Sequence, residues 1–301
     1  MSVPSINVSR ASAPRLPIHR HRPRRLNLLA IPGLLVLLLW ASAGSAAARG
    51  VPASELADSR PGADKPPRSQ PIGYDISYPQ CGGPFPKAIA FGIVGVNRGI
   101  VYSPNPCLGS GSGPSELAWA GLNAELYANT GNPGPALSSR WPIGQTVPRV
   151  CAANNPDSAD CAYDYGWNAA ADSYATAVRA YISLGWAQPG ATRTPVANHW
   201  WLDVETANSW RPDVSLNAAA LQGGANYLAS VGAASVGFYS APFMWADIVG
   251  ATSAFADYPS WVAGATTLQG AQSRCAGDGF TGGGVVLAQY LAKGFDANYR
   301  C

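Results

Sequence analysis

Apolar runs of strand length and Ala-rich stretches of helical periodicity take turns along most of this chain. Runs suited to buried strands cover 74–78, 91–97, 125–129, 200–205, 235–239, 260–263, 285–290 and 295–299. Between several of them, residues 116–121, 167–184, 216–231 and 243–249 carry helical spacing. Strand, helix and strand in alternation predict a parallel sheet with right-handed crossovers. Eight such strands in one stretch predict that the sheet closes, an α/β fold of the TIM-type β/α barrel. One connection departs from the alternation. Only residues 291–294 separate the last two strands, too few for a parallel crossover, so these two must form an antiparallel hairpin. The eighth strand then starts where the seventh ends, on the face where β/α barrels carry their active sites. Asp296, its second residue, falls on that rim.

The N-terminal segment changes the reading of charge. The first 25 residues hold six arginines and no acid. An apolar run follows over 26–40, broken only by Asn27, Pro32 and Gly33, and then come small residues up to Ala48. This order is that of a signal peptide, expected over 1–48. The run is shorter than the ~20 residues a spanning helix needs, so no stable membrane anchor is expected after cleavage. The expected location is secreted, extracellular or in the cell wall. Residues 49–70 lack aromatics and are rich in Pro, Ser and charged side chains, the composition of a flexible linker. The barrel is expected over 71–301. Loss of 1–48 removes six of the 20 basic residues and none of the 17 acidic ones, leaving fourteen against seventeen, or −3. The overall +3 therefore belongs to the leader, and no nucleic-acid partner is expected.

Six cysteines, at 81, 107, 151, 161, 275 and 301, all lie beyond the leader. An even count in an exported chain predicts three disulfides. There is no C-x-x-C pair, and His199 is the only histidine past residue 48, so no metal or cofactor is expected. The topology favours Cys81–Cys107, which follow neighbouring strands. Cys151–Cys161 closes a short local loop, and Cys275–Cys301 falls at the opposite end of the barrel. Residues 130–164 are Pro/Gly/Asn-rich and follow the third strand, so they are expected over the functional face as a binding or lid element. The expected state is a monomer.

The densest chemical signal is Trp201-Leu202-Asp203-Val204-Glu205. Side chains alternate along a strand, so Leu202 and Val204 share one face while Trp201, Asp203 and Glu205 share the other. Two carboxylates on one buried face oppose each other's ionisation, and desolvation opposes it further. One of them is thereby kept protonated near neutral pH, beside an ionised partner. That pairing is what glycosidic cleavage requires. Asp75 and Ser77 repeat the pattern on the first strand. Asp75, Asp203, Glu205 and Asp296 are thus expected to converge as catalytic residues at one mouth. The plainer alternative has these acids capping helices or pairing with arginines such as Arg98. Tyr127, Tyr239 and Trp261 sit near strand ends, where their rings can face a sugar. Gln289 and Trp201 complete the expected substrate contacts. His199 lies at the opposite end of the barrel, which excludes it from a Ser-His-Asp triad.

Taken together, YDISYPQ (74–80), WLDVET (201–206), GFYSAP (237–242), SWVAG (260–264) and LAQY followed by FDANY (287–299) resemble glycoside hydrolase family 25, the muramidase-type lysozymes. Their order and spacing match over residues 72–301. The resemblance implies an eight-stranded barrel that cleaves the β-1,4 bond after N-acetylmuramic acid in peptidoglycan. It implies that Glu205 is the general acid and that Asp203 positions the acetamido group or stabilises charge, with Asp75 and Asp296 shaping the site. Two features depart from the family: the first motif runs on as Ser77-Tyr78-Pro79-Gln80-Cys81 instead of ending Trp-Gln-Gly, and a cysteine-bearing segment follows the third strand. The second function consistent with these residues is a non-catalytic barrel that binds wall glycan or a protein partner.

Overall fold

The computed structural model describes residues 72–187 and 193–301. The expected signal peptide (1–48) and linker (49–70) lie outside the described residues. Eight strands form a closed barrel in sequence order: β1 Ile72–Ile76, β2 Gly92–Gly95, β3 Glu125–Asn129, β4 His199–Asp203, β5 Ser235–Ser240, β6 Ser260–Ala265, β7 Val285–Ala292 and β8 Phe295–Arg300. Neighbours from β1 to β7 pair in parallel, while β8 is antiparallel to both β7 and β1. The β7–β8 connection is tighter than the sequence pattern gives, because both strands extend into it and leave only Lys293-Gly294 as the turn. Both residues are left-handed, with φ of 54° and 80°. Two consecutive positive φ values match the twist of the flanking strands, and glycine adopts the second without strain.

Among the described residues five α-helices accompany the strands: α1 Glu116–Ala120, α2 Ala159–Ser183, α3 Val214–Ser230, α4 Pro242–Ile248 and α5 Leu268–Arg274. Two of them differ from the sequence expectation. Helix α2 begins eight residues earlier than periodicity indicates, at Ala159 rather than Trp167. Its start is set by Ser158, whose hydroxyl accepts from the Cys161 amide at 3.2 Å. The segment after β3 is correspondingly shorter, and Cys161 and Asp164 belong to the helix. Helix α5 has only Leu268 and Ala271 as apolar residues, too few for a periodic signal. It forms because Thr267 caps it, accepting from the Gly270 amide at 3.1 Å. Among the described residues no helix is long and apolar enough to cross a membrane.

Strand alternation divides the apolar residues into two cores. Trp200, Leu202, Leu126 and Phe238 pack outward under the helices. Trp201, Trp261, Ile93 and Leu287 fill the barrel interior. The adjacent tryptophans of β4 thus serve different cores. The three disulfides pair as the topology predicts: Cys81–Cys107, Cys151–Cys161 and Cys275–Cys301. The first joins the loops after β1 and β2, the second ties the post-β3 segment to the first turn of α2, and the third fastens the chain end to the end of α5.

Helices α2 and α3 meet backbone to backbone through glycine. A Cβ at Gly223 would stand 2.0 Å from the Tyr163 carbonyl oxygen, and one at Gly166 would stand 1.8 Å from that of Ala220. The adjacent Gly224 has its nearest neighbours at 3.5 Å, an ordinary contact. Gly223→Ala is therefore expected to destabilise the protein by about 2 kcal/mol, overpacking outweighing the helix-propensity gain. Gly224→Ala is expected to be neutral or to stabilise by up to ~1 kcal/mol. Urea denaturation of the two variants side by side checks this; equal stabilities contradict the close approach.

Candidate active site

The acids that the sequence singles out come together at the C-terminal ends of the parallel strands. Register pairs them in two sets. Asp75 on β1 lies directly across from Asp296 on β8. Asp203, the last residue of β4, lies between Asn129 on β3 and Tyr239 on β5, and Tyr239 is in turn opposite Trp261 on β6. Glu205 stands two residues beyond the end of β4, in the following turn rather than on the strand. Asp75, Asp203, Glu205 and Asp296 line one cavity of about 190 Å³ together with Tyr127, Tyr239, Trp261 and Gln289. None of the four acids forms an ion pair among the described residues, Arg98 included.

A hydrogen-bond network orients the floor of this cavity. The Tyr239 hydroxyl donates to Gln289 Oε1 at 2.9 Å, and the Gln289 amide donates to Asp75 Oδ2 at 3.1 Å. From the other side, Trp261 Nε1 donates to Asn298 Oδ1 at 2.7 Å, and Asn298 Nδ2 donates to the same Asp75 oxygen at 2.6 Å. The indole N–H is only a donor, so it fixes which end of Asn298 faces Asp75. Asn129 Nδ2 donates to Asp203 Oδ2, and the other Asp203 oxygen is buried without a partner.

Burial dominates the electrostatics. Asp75 is 9 % exposed, and its carboxyl is pushed up to about 7, first by desolvation and then by Asp296 opposite it. The bonds from Asn298 and Gln289 act in the other direction but do not win. Asp203, 3 % exposed, is raised well above the usual range by burial, then by Glu205 and Asp75, against the pull of Asn129. Burial followed by Asp296 raises Glu205, and burial raises Asp296. Desolvation also keeps the Tyr239 and Tyr127 hydroxyls protonated. The arrangement therefore shifts all four carboxyls toward their protonated forms around one small volume, which favours general acid chemistry.

Two sequence expectations are corrected. Trp201 does not reach the cavity. It is 2 % exposed and lies one step lower in the barrel, donating from Nε1 to Glu125 Oε2 at 2.7 Å. Beneath the site Glu125 also pairs with Arg300, so that layer is structural. Trp261 does line the cavity, but at 1 % exposure it has no free ring face for a sugar. Its ring packs against Tyr239, centroids 4.5 Å apart, and its role is to hold Asn298. Asn129 and Asn298 were not singled out from the sequence. Both share a strand face with a named residue, Asn298 two positions from Asp296 and Asn129 two from Tyr127, so alternation alone was enough to find them.

No family model matches the chain, and no curated protein matches it. Among solved structures, it is similar to a muramidase from Acremonium alcalophilum, at 17 % identity and a TM-score of 0.44, over 76 % of this chain and 93 % of that one. A muramidase from Trichobolus zukalii is 17 % identical with a TM-score of 0.46, over 76 % and 93 %. A family GH25 lysozyme from Aspergillus fumigatus is 16 % identical with a TM-score of 0.45, over 77 % and 94 %. The class defined here, a closed β/α barrel with an acidic mouth, rests on the strand order and the cavity themselves.

The raised Asp75 carboxyl has a consequence for stability. In the unfolded chain it ionises near 3.8, whereas in the folded protein it holds its proton to about 7. The folded state thus binds the extra proton between these values, and stability is lost as pH rises through that window. Asp75→Asn removes this contribution. Between pH 4.5 and 7.5 the variant is expected to lose roughly 1–3 kcal/mol less stability than the wild type, measured by chemical denaturation at both pH values. Parallel pH dependence in the two proteins would mean that Asp75 titrates as an ordinary carboxylate.

Proposed function

We propose that this protein is a secreted glycoside hydrolase acting on an amino-sugar polymer of the peptidoglycan type. In this reading 1–48 is the export signal, 49–70 a tether and 71–301 the catalytic barrel. The observation that carries the proposal is the placement of Glu205. Its carboxyl is half-buried at the rim of the acid cavity, its pKa is raised by burial and Asp296, and no described protein group bonds to it. Its carboxyl is thus biased toward the protonated form and free to meet a substrate oxygen. Asp203 beside it is anchored by Asn129 and keeps one oxygen without a protein partner.

Each group then has a task. The Glu205 proton passes to the glycosidic oxygen as the bond from that oxygen to the anomeric carbon breaks. Positive charge grows on the sugar, and Asp203 stabilises it or positions the neighbouring acetamido group. Water adds to the anomeric carbon and returns a proton to Glu205. Burial and then Asp296 push Glu205 toward its protonated form, and the mutual opposition of Asp75, Asp203 and Glu205 leaves a proton on one carboxyl while another ionises. Tyr239, Tyr127 and Gln289 contact the sugar. The cavity is small, so it accommodates one sugar residue, and the polymer continues along the face of the barrel.

The test uses purified protein and peptidoglycan, with released fragments read by mass analysis. Cleavage is expected to follow a bell against pH, since one carboxyl must be protonated and another ionised. Glu205→Gln is expected to stay folded and lose at least ~100-fold in rate. Asp203→Asn should lose cleavage while keeping most of its glycan binding. A wild type that binds glycan but releases nothing at any pH, with Asp203→Asn binding equally well, is instead a glycan-binding barrel.

A further inference from the structure

A second depression lies on the same face, next to the acid cavity, and it carries the opposite charge. Its volume is about 290 Å³. Two hydrogen bonds tie its wall to the acid-bearing segment. Thr130, on its wall, donates its hydroxyl to the Asp203 backbone carbonyl. Asn208, also on its wall, donates its backbone amide to the Glu205 carbonyl at 3.1 Å, closing the turn that follows the acid. Of the residues lining the two depressions, Arg140 alone is basic.

Arg140 sits on the segment between β3 and α2, and the surroundings hold it in place. Its guanidinium lies 5.0 Å over the ring of Tyr102. Tyr102 meets Tyr165 edge to face at 5.7 Å, and Tyr165 stacks on Trp141 at 5.0 Å. Trp141 is fixed in turn by donating from Nε1 to the Pro156 carbonyl at 2.6 Å and by packing against the Cys151–Cys161 disulfide. A cation on an aromatic platform keeps its outward N–H groups free for an acceptor. Among the described residues no carboxylate pairs with Arg140, whereas Arg149, Arg211 and Arg300 each have one.

We infer that this depression is a subsite for a carboxylate-bearing substituent of the glycan chain, with Arg140 as the group that reads its charge. The inference rests on the glycan reading of the neighbouring cavity. The acid cavity has no basic residue in its lining to pair with an anionic group, and it accepts a neutral sugar. A polymer with carboxylate side branches therefore binds in one register, sugar over the acids and branch over Arg140. A guanidinium and a carboxylate form a bidentate, charge-assisted pair, which lysine matches only in part.

The experiment compares two probes on the full chain carrying Glu205→Gln, so that bound ligand is retained. One is a peptidoglycan disaccharide with its carboxylate-bearing peptide; the other is the same fragment with those carboxylates converted to amides. Calorimetry is expected to show the charged fragment binding ~10-fold more tightly, a margin that shrinks with salt. Adding Arg140→Gln should weaken the charged fragment to the level of the amide and leave the amide unchanged. Arg140→Lys should restore part of the difference. Equal affinity for both probes before the Arg140 change overturns the inference, as does an Arg140→Gln variant that weakens both alike, or no binding of either. Cleavage by the protein with Glu205 intact is scored separately. Charge-selective binding without any product ends the hydrolase reading and leaves this subsite standing.

Discussion

Asp75 and Asp296 oppose each other across an antiparallel strand pair, and that juxtaposition organises the rest of the site. It exists because β8 runs against β1, and β8 runs that way because a two-residue turn joins it to β7. A parallel eighth strand would begin at the far end of the barrel and carry Asp296 away from the mouth. As it stands, two carboxyls share a low-dielectric volume with Asp203 and Glu205, and no cation among the described residues neutralises them. Like charges and desolvation then act in the same direction, toward protonation.

Buried carboxyls in this number are costly, and the surrounding layers show how the cost is contained. Asp75 receives two amide donors, each locked from behind by an aromatic group, Tyr239 through Gln289 and Trp261 through Asn298. Asp203 receives one from Asn129. These bonds hold the side chains in single orientations without cancelling the upward shift. Below them the interior turns apolar, with Trp201, Ile93 and Leu287, and a closed Glu125–Arg300 pair ends the stack. Preorganisation of this kind is what allows a site to act on a substrate without rearranging.

The loops add a different kind of specificity. The segment after β3 is long, yet the Cys151–Cys161 bridge and the Trp141–Tyr165 stack make it a wall rather than a flap. It sets a cation, Arg140, on the wall of the depression beside the acidic one. The face of the barrel thereby carries an acidic cavity and a depression with one basic residue.

The eight strands, the antiparallel closing hairpin, the three disulfide pairings and the four converging acids were all legible in the sequence. Each depends on short-range rules: alternation, the minimum length of a crossover, and which strand end a residue follows. Alternation also contained Asn129 and Asn298, though their chemistry as amides gave no reason to single them out. What only the tertiary structure decided was depth. Trp201, Tyr239 and Trp261 share the inward face of their strands, but the stagger of the barrel sets Trp201 one layer down and leaves Tyr239 and Trp261 at the cavity. Barrel packing then closes the ring face of Trp261 while its edge still lines the site. The same holds for Arg140, which the chain places in an unpatterned segment and which is set on the wall of the neighbouring depression by a disulfide and three aromatic rings. Periodicity specifies which way a side chain points; how far it lies from water depends on neighbours distant in the chain, and no local pattern encodes them.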